Sequence, residues 1–215
     1  MSPEARRLQF YNADVFTDQL FGGNPVAVFP DCEGLTNREF QQIAREMNLS
    51  ETVFVLPPTE KNCVAKLRIY TPTQEIPFAG HPVLGTFFIL ATLKRFPLVE
   101  PITRVKFECN IGVFSVELFI LGGMIDRVVM AQPKPEFLGA IGGVQDLYEV
   151  SKALGVSKSV ITETHLPIEV VSTGLPVMIV PLRSLTAVKS VSIDLSALND
   201  ICARWGANGI MVFST

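Results

Sequence analysis

Three short segments of the sequence carry side chains that could transfer a proton or bind a substrate. Glu51 ends the run Asn48-Leu49-Ser50-Glu51, His81 lies in the run Phe78-Ala79-Gly80-His81-Pro82, and Asn24 lies in the turn Gly22-Gly23-Asn24-Pro25. Histidine and glutamate are frequent general acids and bases in proteins. The segments with Glu51 and His81 are therefore the candidates for acid-base chemistry, and the turn with Asn24 is a candidate for substrate binding.

The step from Gly80 to Pro82 precedes a long apolar run and predicts the first turn of a buried helix. The first backbone N–H groups of a helix have no intrahelical acceptor, so they can bind an anion. We expect a substrate carboxylate, or the oxyanion of an enolising carbonyl, to be held there without a metal. His81 is then either a proton donor at this helix end or a residue that hydrogen-bonds a loop, and the residues alone leave both open.

Glu51 lies between a predicted amphipathic helix and a short apolar strand. A carboxylate in that position can be partly desolvated, which raises its pKa toward the working pH. The alternative is an ordinary solvated turn residue, as most glutamates are. Ser50 is expected to be a turn hydroxyl rather than a nucleophile, because no G-x-S-x-G context surrounds it.

Other kinds of site have little support in the sequence. Neither Gly-Gly pair is followed by a nucleotide-binding pattern, and no cofactor is predicted. The second histidine, His165, is expected to be ordinary surface. The cysteines form no C-x-x-C pair and lie far from histidines, so no metal site is predicted at Cys32, Cys63, Cys109 or Cys202.

The composition is that of a packed globular protein. The 215 residues are 48% hydrophobic and 18% charged, with a net charge of −3 and scattered Lys and Arg, so a nucleic-acid partner is not expected. The most apolar stretch, 82–93, is shorter than the roughly 20 residues that cross a bilayer, so no membrane partner is expected. Residues 1–9 are not followed by a signal-peptide core, which makes a cytoplasmic location the expectation.

The predicted elements alternate between strands and helices. Strands are expected at 8–15, 25–29, 53–56 and 64–70, and a loop at 71–78. Thr36 and Glu39 fit a capping box for a helix that ends at Asn48 and has one apolar face. The run 83–93 predicts a helix that is apolar on all sides, so strands are expected to surround it.

The second half of the chain repeats the first. Residues 174–180 are similar in sequence to residues 23–29, and each segment is followed by an amphipathic helix. Residues 210–213 then correspond to residues 53–56. Two similar lobes are predicted, at 1–115 and 116–215. The second copy stops before a counterpart of the buried helix, so we expect an incomplete lobe. A fragment, a shortened gene product or a partner that covers the exposed face would each account for it.

Three ordered strings of the first lobe resemble the PhzF-like (phenazine-biosynthesis-like) family. They are residues 24–29 (NPVAVF), residues 43–55 (IAREMNLSETVFV), and residues 70–72 with 75–86 (EIPFAGHPVLGT). The second lobe matches more loosely, through residues 173–176. The resemblance implies an α+β fold like that of diaminopimelate epimerase. Such a fold has two pseudo-symmetric lobes, each with a central helix wrapped by a bent β-sheet, and an active site in the cleft between them.

The resemblance also implies roles for individual residues. Glu51 would shuttle a proton, and the part of the chain with Gly80 and His81 would hold and polarise the substrate, with no metal or organic cofactor. We predict Glu51 and His81 as catalytic residues, and Gly80, Ser50 and Asn24 as substrate-binding residues. The D-P-A-T-G-S-A-like segment that the family has in its second lobe has no counterpart in this sequence.

The resulting hypothesis is a cofactor-independent isomerase that moves a proton on a small carboxylate-bearing metabolite. One alternative is a non-catalytic scaffold or interaction protein that keeps the fold with a truncated site. Another is an amino-acid or hydroxy-acid epimerase. The epimerase relatives use a pair of cysteines, and neither residues 48–51 nor residues 78–82 contain a cysteine, which is evidence against this alternative. The fold is compatible with a homodimer, but neither that nor the substrate is determined by the sequence.

Overall fold

The computed structural model describes residues 6–214. The start of the segment 1–9, which was considered above for a signal peptide, and Thr215 lie outside the described residues. The chain divides into two compact units, Met1–Gln132 and Pro133–Thr215. Each unit has its own β-sheet and its own hydrophobic core.

The first unit is built on one large sheet with two helices, α1 (Asn37–Met47) and α2 (Gly80–Thr92). The strands run in the order β1-β2-β3-β4-β6-β7-β8, and a short β5 pairs with β4. The pairs β2–β3 and β4–β6 are parallel and the others are antiparallel. The strands are β1 (Tyr11–Val15), β2 (Asn24–Phe29), β3 (Glu51–Leu56), β4 (Cys63–Tyr70), β5 (Glu75–Ile76), β6 (Ile102–Cys109), β7 (Gly112–Leu121) and β8 (Met124–Met130).

Helix α2 lies at the centre of the first unit. It contacts β1, β2, β3, β7 and β8, so the sheet bends around it as the apolar sequence of the helix predicts. Val83, Phe87 and Leu90 are buried among strand side chains. Gly85 lets α2 pack closely against β1 and β2, because a Cβ there would lie 2.7 Å from Val26 Cγ1 and 2.9 Å from Val15 Cγ2.

Helix α1 covers the other face of β3 and β4. The predicted capping box is present: Thr36 Oγ1 accepts from the Glu39 N–H, and the Glu39 carboxylate accepts from the Thr36 N–H. Phe40 packs on Phe54 with ring centroids 4.7 Å apart. The helix ends at Asn48, which adopts the left-handed conformation with φ 52°.

The second unit contains a four-stranded sheet in the order β12-β11-β10-β9. Its core is formed by buried side chains of this sheet together with helices α3, α4, α5 and α6. The strands are β9 (Glu136–Ile141), β10 (Ile168–Ser172), β11 (Pro176–Leu182) and β12 (Ile210–Ser214). The helices are α3 (Val144–Ala153), α4 (Lys158–Thr162), α5 (Leu185–Lys189) and α6 (Leu195–Arg204).

The repeat seen in the sequence is present in the topology. In the first unit β1 pairs antiparallel with β2, which pairs parallel with β3 after α1. In the second unit β10 pairs antiparallel with β11, which pairs parallel with β12 after α6. On α6 the residues Leu198, Ile201 and Cys202 are buried, so this amphipathic helix packs with its apolar face inward.

Several boundaries differ from those expected. The first strand begins at Tyr11 rather than at residue 8, and the expected loop 71–78 includes β5, because Ile76 pairs with Ile69 of β4. Helix α2 begins at Gly80, so Pro82 is its third residue. The first compact unit extends to Gln132 rather than to residue 115, because β7 and β8 continue the first sheet.

Within residues 6–214, none of the helices combines the length and the apolar character needed to span a bilayer.

Candidate active site

Asn24 is placed by a tight backbone turn at the start of β2. Gly23 precedes it with φ +64°, and a Cβ on Gly23 would lie 2.2 Å from the Val15 carbonyl oxygen. Only glycine fits this approach of two backbone segments. The turn therefore fixes the direction in which the Asn24 side chain leaves the strand.

Glu51 is the first residue of the neighbouring parallel strand, β3. The left-handed Asn48 ends α1, and the chain turns through Ser50 directly into β3. Because β2 and β3 are parallel, with Val26 opposite Glu51, the starts of both strands lie at the same edge of the sheet. The Glu51 side chain is 19% exposed, so it is largely withdrawn from solvent.

His81 is the second residue of the central helix α2. The helix starts after Ala79, which has no side-chain hydrogen bond to cap it, and Pro82 contributes no N–H. The backbone N–H groups of Gly80 and His81 are thus donors without an intrahelical acceptor. They are the free donors at which the sequence predicts an anion to bind.

Four of the predicted side chains form one connected chain. Ser50 Oγ donates to Asn24 Oδ1 at 3.1 Å, and Asn24 Nδ2 lies 3.2 Å from His81 Nδ1. The other ring nitrogen, His81 Nε2, lies 3.3 Å from Glu51 Oε2. Residues from β2, the α1–β3 turn, β3 and α2 therefore converge on one imidazole ring.

The link between His81 and Glu51 joins two buried atoms with unused hydrogen-bonding capacity. Glu51 Oε2 and His81 Nε2 are close enough for an ion pair, but their angles are not those of a hydrogen bond, and neither has another partner among the described residues. Buried polar atoms without partners are costly and occur at catalytic sites. This pair of atoms is the chemical centre of the site.

The surroundings of the His81 ring favour its neutral form. Burial lowers the pKa of His81, and this effect exceeds those of the Glu51 charge and the Pro25 carbonyl, both of which raise it. The residue is only 8% exposed. A neutral imidazole carries one N–H, so it can donate a hydrogen bond without bringing a charge.

The structure brings all five predicted residues together. Gly80 completes the group as the first residue of α2, beside His81. Gln132, which was not predicted from the sequence, also lies here, and its Nε2 would be 3.3 Å from a Cβ on Gly80. No local signal marks Gln132, because its approach to α2 depends on how β8 pairs across the sheet.

The remaining candidate residues lie elsewhere. His165 is exposed at a turn with φ 56°. The Cys32 thiol donates a hydrogen bond to the Phe29 carbonyl, and burial raises the pKa of this thiol to about 12. Burial likewise raises the pKa of Cys109 and of Cys202, so these thiols have no tendency to form reactive thiolates. Among residues 6–214, no three His, Cys, Asp or Glu side chains form a group suited to a metal ion.

Residues 13–215 match the sequence profile of the family described as phenazine biosynthesis-like protein. The chain belongs to the phenazine biosynthesis-like family. It is 40% identical over 187 residues to a trans-2,3-dihydro-3-hydroxyanthranilate isomerase of Pseudomonas chlororaphis, covering 86% of this chain and 61% of that protein. It is 36% identical over 202 residues to an uncharacterized isomerase of Pasteurella multocida, covering 89% of this chain and 61% of the relative.

A solved structure supports the fold of this phenazine biosynthesis-like protein. A predicted epimerase from Pseudomonas aeruginosa matches it with a TM-score of 0.83 at 26% identity, covering 96% of this chain and 70% of the other. The predicted α+β fold of the epimerase type is confirmed by this match. The chain spans about three fifths of the length of the two curated relatives, 61% in each case.

Proposed function

We propose that this phenazine biosynthesis-like protein is a cofactor-independent isomerase that moves a proton between carbons of a small carboxylate-bearing metabolite. One observation carries the proposal. Glu51 Oε2 and His81 Nε2 are buried, 3.3 Å apart and unpartnered within the described chain, beside the free N–H groups of the α2 N-terminus. A carboxylate base, a neutral donor and an anion site are the groups that a carbon-to-carbon proton transfer needs.

The proposed reaction assigns one role to each group. The Gly80 and His81 N–H groups bind the substrate carboxylate or the enolate oxygen that develops from it. Glu51 accepts a proton from one carbon, the electrons of that C–H bond move into the conjugated system, and Glu51 returns the proton to another carbon. His81 donates its N–H toward the developing negative charge, and Asn24 and Ser50 hold the ring in place.

The relatives support this reaction type. The relative from Pseudomonas chlororaphis is named for the isomerisation of trans-2,3-dihydro-3-hydroxyanthranilate, a small molecule with a carboxylate. The strings that carry Asn24, Ser50, Glu51, Gly80 and His81 lie within the family match. We therefore propose a substrate with this chemistry for the present chain.

The test is deuterium transfer to that compound. The full chain is incubated with trans-2,3-dihydro-3-hydroxyanthranilate in D2O, and the position of deuterium in the product is followed by NMR. Glu51→Gln keeps the shape of the side chain but removes the base, so turnover is expected to fall by roughly 100-fold to 10,000-fold. The matched control is Glu46→Gln, because Glu46 is exposed on α1. Unchanged turnover in Glu51→Gln, or no turnover by the unaltered chain, would contradict the proposal.

A further inference from the structure

Gln132 brings a side-chain amide to the first turn of α2. It follows β8, and the N–H of the preceding Ala131 donates to the Ser115 carbonyl at 3.1 Å, which anchors the backbone up to this point. The Gln132 side chain is exposed and makes no hydrogen bond to the described residues, 6–214. Its amide is therefore available to a ligand.

Gly80 explains why the amide can lie so close to the helix. A Cβ on Gly80 would have one neighbour within 4 Å, Gln132 Nε2 at 3.3 Å. Gly80 is not among the residues with positive φ, so its backbone conformation does not require glycine. Glycine also lowers helix stability relative to alanine. The missing side chain leaves room for the Gln132 amide, or for a ligand beside it.

We propose that Gln132 is a substrate-binding residue that donates its Nε2–H to the carboxylate held at the N-terminus of α2. This inference rests on the proposed function and adds a third donor to the site. An ionised carboxylate offers about four lone-pair positions, and the two backbone N–H groups of Gly80 and His81 leave some of them free. Glu51 already brings an acidic side chain to the site, so a neutral amide donor beside Gly80 adds attraction for an anion without a further acidic group.

The probe for this inference is anthranilate, an aromatic carboxylate with an adjacent amine that cannot undergo the proposed isomerisation. It is titrated into the ¹⁵N-labelled full chain, and backbone and side-chain amides are followed by NMR. We expect the amides of Gly80 and His81 and the side-chain NH2 of Gln132 to shift together with one dissociation constant. Shifts at Gly80 and His81 without a shift at Gln132 would overturn the inference and leave the proposed function intact. No shift at Gly80 and His81 would contradict the carboxylate site itself.

Substitutions at residue 132 give the second arm of the test. Gln132→Ala should weaken anthranilate binding about tenfold, the effect of one hydrogen bond to a charged group. Gln132→Glu should weaken it further, because it places a negative charge beside the bound carboxylate. The control is Gln42→Ala, an exposed glutamine on α1, which should bind as the unaltered chain does. Equal binding by Gln132→Glu and Gln132→Ala would place the anion away from this residue.

A double substitution tests the link to Gly80. Gly80→Ala should displace the Gln132 amide and weaken binding, and it should have a much smaller effect in a chain that already carries Gln132→Ala. Fully additive effects of the two substitutions would overturn the inferred coupling.

Discussion

The protonated nitrogen of the His81 ring gives the sharpest test of the proposed site. Ser50 Oγ donates to Asn24 Oδ1, which leaves the NH2 end of the Asn24 amide facing His81 Nδ1 at 3.2 Å. The Asn24 N–H can donate only to a nitrogen with a free lone pair, so Nδ1 is the unprotonated nitrogen of the neutral ring and Nε2 carries the proton. That proton faces Glu51. We expect Asn24→Ala to remove the preference for the tautomer that is protonated on Nε2.

The size of the effect follows from the groups that surround the ring. Nε2 makes no hydrogen bond among the described residues, and the nearby Pro25 carbonyl, which raises the pKa of His81, can accept from Nδ1 when Nδ1 is protonated. Without the Asn24 amide, this carbonyl is the remaining partner and favours a proton on Nδ1. One hydrogen bond between neutral groups contributes about 1 kcal/mol, so the ratio of the two tautomers should change about fivefold.

Long-range ¹H–¹⁵N correlation NMR at neutral pH measures the two tautomers directly. The unaltered chain should show mainly the Nε2–H form, and Asn24→Ala should shift the ring toward the Nδ1–H form. Ser50→Ala should cause a smaller change, because Ser50 acts only by orienting the Asn24 amide. The exposed His165 serves as an internal control and should not change. A mainly Nδ1–H ring in the unaltered chain would refute the reasoning.

Two further predictions concern stability. Because burial lowers the pKa of His81, the unfolded chain binds a proton at higher pH than the folded chain, so stability should decrease as pH falls through the ordinary histidine range toward the lowered pKa. Urea unfolding at several pH values should show this slope, and a slope unchanged in His81→Gln would contradict the assignment. Gly85→Ala should cost about 1–3 kcal/mol, because its Cβ would lie 2.7 Å from Val26 Cγ1. The control Gly142→Ala, with no atom within 4 Å, should stay within about 0.5 kcal/mol in the same assay.

Local signals account for what could be predicted from the sequence. The capping box at Thr36 and the left-handed preference of asparagine fixed both ends of α1, and the lack of a polar face showed that α2 is central. The residues of the site lie in short strings at the starts of β2, β3 and α2, where the chain enters regular structure. Such positions can be located from the sequence, because caps, turns and proline mark them.

Features that depend on long-range pairing could not be predicted. The lobe boundary predicted after residue 115 falls inside β7, and the nearby Gly122 and Gly123 form the turn of the β7–β8 hairpin with φ 59° and 74°. Glycines mark tight hairpins and linkers alike, so the sequence does not distinguish the two. Gln132 follows this hairpin and reaches Gly80 only because β7 and β8 continue the sheet around α2. The hydrogen bond from Asn24 to His81 likewise joins residues that are far apart in the chain.

The two copies of the internal repeat can be compared position by position, at the strands that carry Asn24 and Glu51 in the first unit. Ala27 pairs with Thr52 in the first unit, and its repeat counterpart Met178 pairs with Ile210 in the second. By this register Gly209 takes the place of Glu51, one residue later than the predicted alignment of 210–213 with 53–56 implies. The sequence repeat aligns Leu175 with Asn24.

The second unit therefore repeats the strand pairing but has neither the carboxylate nor the amide. The donor to the equivalent carbonyl differs, since the Asn208 backbone N–H donates to the Pro176 carbonyl, whereas the Ser50 hydroxyl lies 3.5 Å from the Pro25 carbonyl. The same strand pairing is thus compatible with the presence or absence of an acid-base residue. What makes the first unit a candidate active site is the addition of His81, at the free N-terminus of a buried helix, to a scaffold that the chain uses twice.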